Sequence, residues 1–82
     1  MASYELWQTR TRNLIGAFAT EAEALALVRK AAKSHGAVYI ESLLLGFEDA
    51  KGHSRTLAKG RELLELAHRH GELEHRSPEG AL

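Results

Sequence analysis

Asn13-Leu14-Ile15-Gly16-Ala17-Phe18-Ala19-Thr20-Glu21-Ala22-Glu23-Ala24-Leu25 carries a strand-like run into a helix with no loop between them. Thr20 stands three residues before Glu23, so its hydroxyl can accept from the Glu23 backbone N–H while the carboxylate reaches back to the Thr20 amide. Such a reciprocal cap fixes where the helix starts and satisfies two amides that a helix terminus otherwise leaves open. On the strand, Leu14, Gly16 and Phe18 share one face and Ile15, Ala17 and Ala19 the other, because side chains alternate along a pleated backbone. Both faces are apolar. A sheet with one face in water alternates apolar with polar residues, so the run predicts apolar surface on the side that the helix does not cover.

Upstream, Tyr4-Glu5-Leu6-Trp7 has the aromatic and apolar content of a strand. Residues 8–12 break it, and Asn13 can take a left-handed conformation, which together predict a hairpin. Downstream, Glu21 to His35 forms a stripe of Ala24, Leu25, Val28, Ala31 and Ala32, with acids early and bases late. Gly36 caps it. Residues 37–42 suit either a strand or a short helical turn, and the pattern does not choose between them. Leu43 to Glu48 reads as a strand, Asp49-Ala50-Lys51-Gly52 as a turn, and 53–59 as the returning strand. Gly60 separates this second hairpin from a helix carrying Leu63, Leu64 and Ala67, which Gly71 is expected to cap. Residues 72–82 lose all periodicity and read as a flexible tail.

The expected fold is therefore α+β: two β-hairpin-α units, ββαββα, forming a small antiparallel sheet with two helices on one face. Setting Glu62 on Glu23 also sets Ala58 on Ala19, Leu57 on Phe18, Leu64 on Leu25 and Leu66 on Leu27, as a duplicated unit would. At 82 residues the chain holds one domain, expected at 1–71, and a chain of this size hides only roughly 60% of its unfolded surface. No cysteine staples it. The absence of cysteine removes disulfides and thiolate metal sites, no leader-like segment opens the chain, and the default expectation is a cytoplasmic protein. Apolar runs such as Leu43-Leu44-Leu45 fall far short of the roughly 18 residues that span a bilayer.

The run Gly16-Ala17-Phe18-Ala19-Thr20-Glu21-Ala22-Glu23-Ala24 resembles the G-x-F-x-T-x-x-E-A junction of plant ethylene-response-factor DNA-binding domains and of the arm-binding domains of tyrosine integrases. The resemblance implies a small sheet backed by a helix, with the exposed sheet face entering the major groove. It assigns Gly16, Phe18, Thr20, Glu23 and Ala24 to turn, core and cap positions, and leaves Trp7, Arg10 and Arg12 where those families keep contact residues. The chain departs from the pattern in having two strands before the helix rather than three, and in lacking strong basic charge. As a whole it is similar to short bacterial proteins that open Tyr-Glu-Leu-Trp and continue through Asn-Leu-Ile-Gly; that resemblance implies no activity.

Catalytic chemistry finds little support. No G-x-S-x-G elbow or phosphate-cradling glycine loop occurs, and the neighbouring carboxylates Glu48 and Asp49 fall at a turn, where solvation accounts for them. His68, His70, His75 and Glu72 carry metal-ligating groups, but two residues along a helix rotate a side chain by about 200°, which points His68 and His70 apart. His35 reads as a helix-end residue and His53 as a sheet-surface one. No enzyme, cofactor or metal is expected. Two binding readings remain. In the first, Trp7, Ile15 and Ala17, joined by Leu44, are buried against a second copy or another protein. In the second, Arg10, Arg12, Lys51, Arg55 and Lys59 ring the sheet and contact nucleic-acid phosphates, with Trp7 stacking on a base. Eleven basic and eleven acidic residues give a formal net charge of zero, which weakens long-range attraction to a polyanion and favours the homodimer.

Overall fold

The structure is a computed structural model that describes residues 2–75. Its elements run β1 (Ser3–Gln8), β2 (Asn13–Phe18), α1 (Glu21–His35), α2 (Ala37–Ile40), β3 (Leu43–Glu48), β4 (Ser54–Lys59) and α3 (Gly60–His75). The strands form one antiparallel sheet in the order β2-β1-β3-β4, so two hairpins meet through their first strands. This is the α+β architecture expected from the sequence. Leu6 pairs with Leu45 at the junction of the two hairpins, and both side chains are buried. Ala24, Leu25 and Val28 of α1, Ile40 of α2, and Leu63 and Ala67 of α3 close over them in one cluster. Burying each of the leucine, isoleucine and valine side chains among them stabilises by about 1.5–3 kcal/mol, so this cluster is the main term holding the two layers together.

Each half runs strand, strand, helix, with the short α2 between them. The shift that sets Glu62 on Glu23 also sets Leu45 on Leu6, Leu63 on Ala24 and Ala67 on Val28, all of them buried. The outer strands fall out of this register. Ala58 pairs with Leu45 as Gly16 pairs with Leu6, so Ala58 occupies the place of Gly16 rather than that of Ala19. Between these paired positions the second hairpin holds three more residues than the first, in its strands as well as its turn, and that displaces the returning strand.

Local chemistry explains most element boundaries. Thr20 is extended at φ −130° and its Oγ1 accepts from the Glu23 backbone N–H at 3.2 Å. The reciprocal half of the cap differs from expectation: the Glu23 carboxylate accepts from the Thr20 hydroxyl, at 3.1 Å, rather than from the Thr20 amide. Gly36 ends α1 at φ +88° with its N–H donating to Ala32 O. Residues 37–40 then form a helical turn rather than a strand, which buries Ile40 and leaves Val38 outside. In the first hairpin the left-handed residue is Arg12, at φ +59°, and not Asn13, which already pairs with Gln8 in the ladder. In the second, Asp49 Oδ1 accepts from the backbone N–H groups of Lys51 and His53, both at 2.9 Å, a side-chain substitute for a backbone turn.

Gly71 does not cap α3. The helix passes through it to His75. A Cβ at position 71 would lie 2.9 Å from Arg29 Cδ, so the glycine serves close approach rather than chain reversal. Of the tail expected at 72–82, residues 72–75 form the last turn of α3 and the others lie outside the described residues.

Candidate functional site

Pairing in the sheet decides which side chains share the face away from the helices. Trp7 is paired with Leu14 on one side and Leu44 on the other, and Leu44 with Lys59 beyond, so one row crosses the sheet as Leu14, Trp7, Leu44, Lys59. The next row is Ala17, Glu5, Gly46, Thr56, followed by Ser3, Glu48 and Ser54. Directly paired residues point to the same side of a pleated sheet, about 4.5–5.5 Å apart. The open face therefore carries an apolar band at one end and a polar field at the other. Leu14 is 47% exposed, while Trp7 and Leu44 are half-buried by their neighbours. Beside Trp7, the missing side chain of Gly46 leaves a shallow hollow walled by Glu5, Leu44, Ser54 and Thr56.

Ile15 does not belong to this band. The register slips between Leu6 and Trp7, which pair with Gly16 and Leu14, so Ile15 is the extra residue of a β-bulge. It lines a groove of about 240 Å³ with Leu6, Leu27, Ala31, Tyr39 and Leu43, on the side where α1 lies. One inserted residue thus exchanges the faces of Leu14 and Ile15 relative to simple alternation. Trp7, Ala17 and Leu44 share the open face, and Leu14 takes the place assigned to Ile15. Strand β4 carries the matching irregularity: between Leu45 and Gly46 the register skips Leu57, which packs against the core.

The five expected phosphate-binding cations do not gather. Because β1 and β3 are antiparallel, the two hairpin tips lie at opposite ends of the sheet. Arg10 and Arg12 are at one tip and Lys51 at the other, about 20 Å away along strands of six residues. Arg55 pairs with Phe47 at the second end, its guanidinium 5.9 Å from the ring centroid. Lys59 closes the apolar row on the far edge. Glu5 and Glu48 occupy the face between these groups.

A second concavity, of about 600 Å³, lies between α1 and α3 and is lined in part by Arg29, Lys30, Lys33 and His68. The sequence shows these residues only as helix-surface charges; the cue it offered was the spacing of 29, 30 and 33, which puts three cations on adjoining helix faces. Among the described residues no group of three or more His, Cys, Asp or Glu side chains is placed to hold a metal ion. The side chains of Glu72 and His75, from the sequence cluster, lie outside that description. No helix among the described residues is long and apolar enough to cross a membrane. No family model, curated protein or solved structure matches the chain.

Proposed function

We propose that the chain is a small non-enzymatic interaction module that associates with a second copy of itself through the sheet face opposite its helices. The observation that carries this reading is the row Leu14, Trp7, Leu44, which crosses three strands on a face that no helix among the described residues covers. A tryptophan flanked by two leucines is the kind of anchor that dominates association energies. The sheet edges support the same reading by exclusion, because both β2 and β4 carry a bulge, a feature that twists an edge away from pairing with another chain. A formal net charge of zero means that two copies approach without mutual repulsion.

Magnitude limits the affinity. Four strands of six residues give a face of about 19 × 20 Å, or about 380 Å² in plan, below the roughly 800 Å² per partner of a standard interface. The dimer is therefore a weak and reversible one, as interfaces below the standard size are. The reading places the module in the cytoplasm, where a cysteine-free fold forgoes nothing.

Trp7 is the single tryptophan, so its emission reports on this face directly. Between about 1 and about 200 μM the emission should shift to the blue and acrylamide quenching should weaken as the indole is covered. Emission independent of concentration over that range would count against self-association. Duplex DNA retarded at low salt, and released by Arg10→Ala with Arg12→Ala, would favour the nucleic-acid alternative, whose support is now reduced to one hairpin tip.

A further inference from the structure

We infer that two copies join in one fixed orientation, with Lys59 of each reaching Glu5 of the other beside Gly46; this rests on the association through the sheet face proposed above. Strand pairing puts three charged side chains of the described strands on that face: Lys59 at the end of the apolar row, Glu5 in the next row and Glu48 in the one beyond. Lys59 and Glu5 are two strands and one row apart, about 12 Å between backbones. Among the described residues neither the Lys59 ammonium nor the Glu5 carboxylate has an ion-pair partner. Gly46, paired with Glu5, leaves a hollow of about 340 Å³ between Glu5, Trp7, Leu44 and Thr56. A Cβ there would meet nothing closer than the Arg55 carbonyl at 3.4 Å, and the backbone does not take a positive φ. Glycine is therefore not demanded by the fold at this place in a central strand, and what it supplies is room for something that approaches from outside.

A face that meets a copy of itself does so about a two-fold axis, and the apolar row can be laid on itself in two ways. An axis along the row sets each residue over its own copy, so Lys59 faces Lys59 and Glu5 faces Glu5, like charge against like. An axis along the strands, midway between β1 and β3, reverses the row instead. Trp7 then lies over the partner's Leu44, Leu14 over the stem of the partner's Lys59, and Glu5 over the partner's Gly46, where the hollow receives it. Glu48 falls over the partner's Ser3. Strands about 4.8 Å apart and rows about 6.8 Å apart put Lys59 about 8 Å in plan from the partner's Glu5. An extended lysine crosses that diagonal with its stem along the apolar row and its ammonium at the carboxylate. The strands of the two copies run close to aligned, as packed sheets commonly do. Of the two arrangements, the second joins apolar to apolar, fills the hollow and pairs opposite charges, each of these twice by symmetry.

The test exchanges the charges in the full chain and follows self-association by sedimentation equilibrium at low salt, with far-UV circular dichroism as the check on folding. Lys59→Glu and Glu5→Lys should each weaken the dimer about tenfold or more, because each sets like charges opposite one another. The chain carrying both substitutions pairs opposite charges again and should return to within about threefold of wild type. Lys51→Glu combined with Glu5→Lys has the same net charge, but Lys51 stands at the far hairpin tip, so this chain should stay as weak as Glu5→Lys alone. Single variants that dimerise as wild type does would overturn the pairing and leave association through the face standing. So would a Lys59→Glu, Glu5→Lys chain that associates no better than the Lys51→Glu, Glu5→Lys chain. A wild-type chain that stays at 9.1 kDa would remove the association itself, and the pairing with it.

Discussion

Replacing a glycine inside a helix by alanine ordinarily stabilises it by about 1 kcal/mol; at Gly71 the sign should reverse. The new Cβ would lie 2.9 Å from Arg29 Cδ and 3.1 Å from Nε, so the arginine side chain must shift, at the expense of its bond to the Ala67 carbonyl. A hydrogen bond from a charged donor contributes about 1.5–3 kcal/mol; this one is only part-buried, which selects the lower end. Gly71→Ala should therefore lower stability by about 0.5–1 kcal/mol, the difference between about 1.5–2 lost and about 1 gained. In an Arg29→Ala background there is no guanidinium to displace, and the same substitution should raise stability by about 1 kcal/mol. The coupling, about 1.5–2 kcal/mol, is read from a double-mutant cycle in urea followed by far-UV circular dichroism. Equal stabilisation in both backgrounds would refute the reasoning.

Asp49→Ala removes the acceptor for two turn N–H groups and should cost about 1–2 kcal/mol in the same urea assay, whereas Lys51→Ala should be within about 0.5 kcal/mol of wild type. Arg12 holds φ +59°, so Arg12→Gly should be neutral to slightly stabilising and Arg12→Val should destabilise by about 1–2 kcal/mol, checked by thermal unfolding. Deleting Ile15 removes the bulge while leaving Leu14 opposite Trp7. The deleted chain should keep its circular dichroism spectrum but form larger species by dynamic light scattering, because its β2 edge becomes regular.

Most of the fold was legible because its devices are local. The Thr20 cap, the Gly36 stop and the turn chemistry of Asp49 and Gly52 each act within a few residues, and each sits where the sequence puts it. Face assignment on β2 was not legible. Alternation puts Ile15 beside Trp7, but one unpaired residue moves it to the helix side and brings Leu14 out, and no local pattern marks a bulge whose cause is pairing with a distant strand. Gly71 misled for a related reason. Glycine after an apolar stripe ordinarily ends a helix, whereas here the residue that requires it, Arg29, lies on another helix far back in the chain. The concavity between α1 and α3 was equally hidden, since its walls come from helices in different halves of the chain.

The face that Leu14 shares with Trp7 is tested most directly by mass in solution. Sedimentation equilibrium of the wild-type chain and of Leu14→Asp, from about 10 to about 200 μM, compares a side chain that is already 47% exposed with a charge that folding should tolerate. The wild-type chain should rise from 9.1 kDa toward twice that value with concentration, and Leu14→Asp should stay at 9.1 kDa. A wild-type mass that never leaves 9.1 kDa, or a dimer that Leu14→Asp leaves intact, would contradict association through the sheet face.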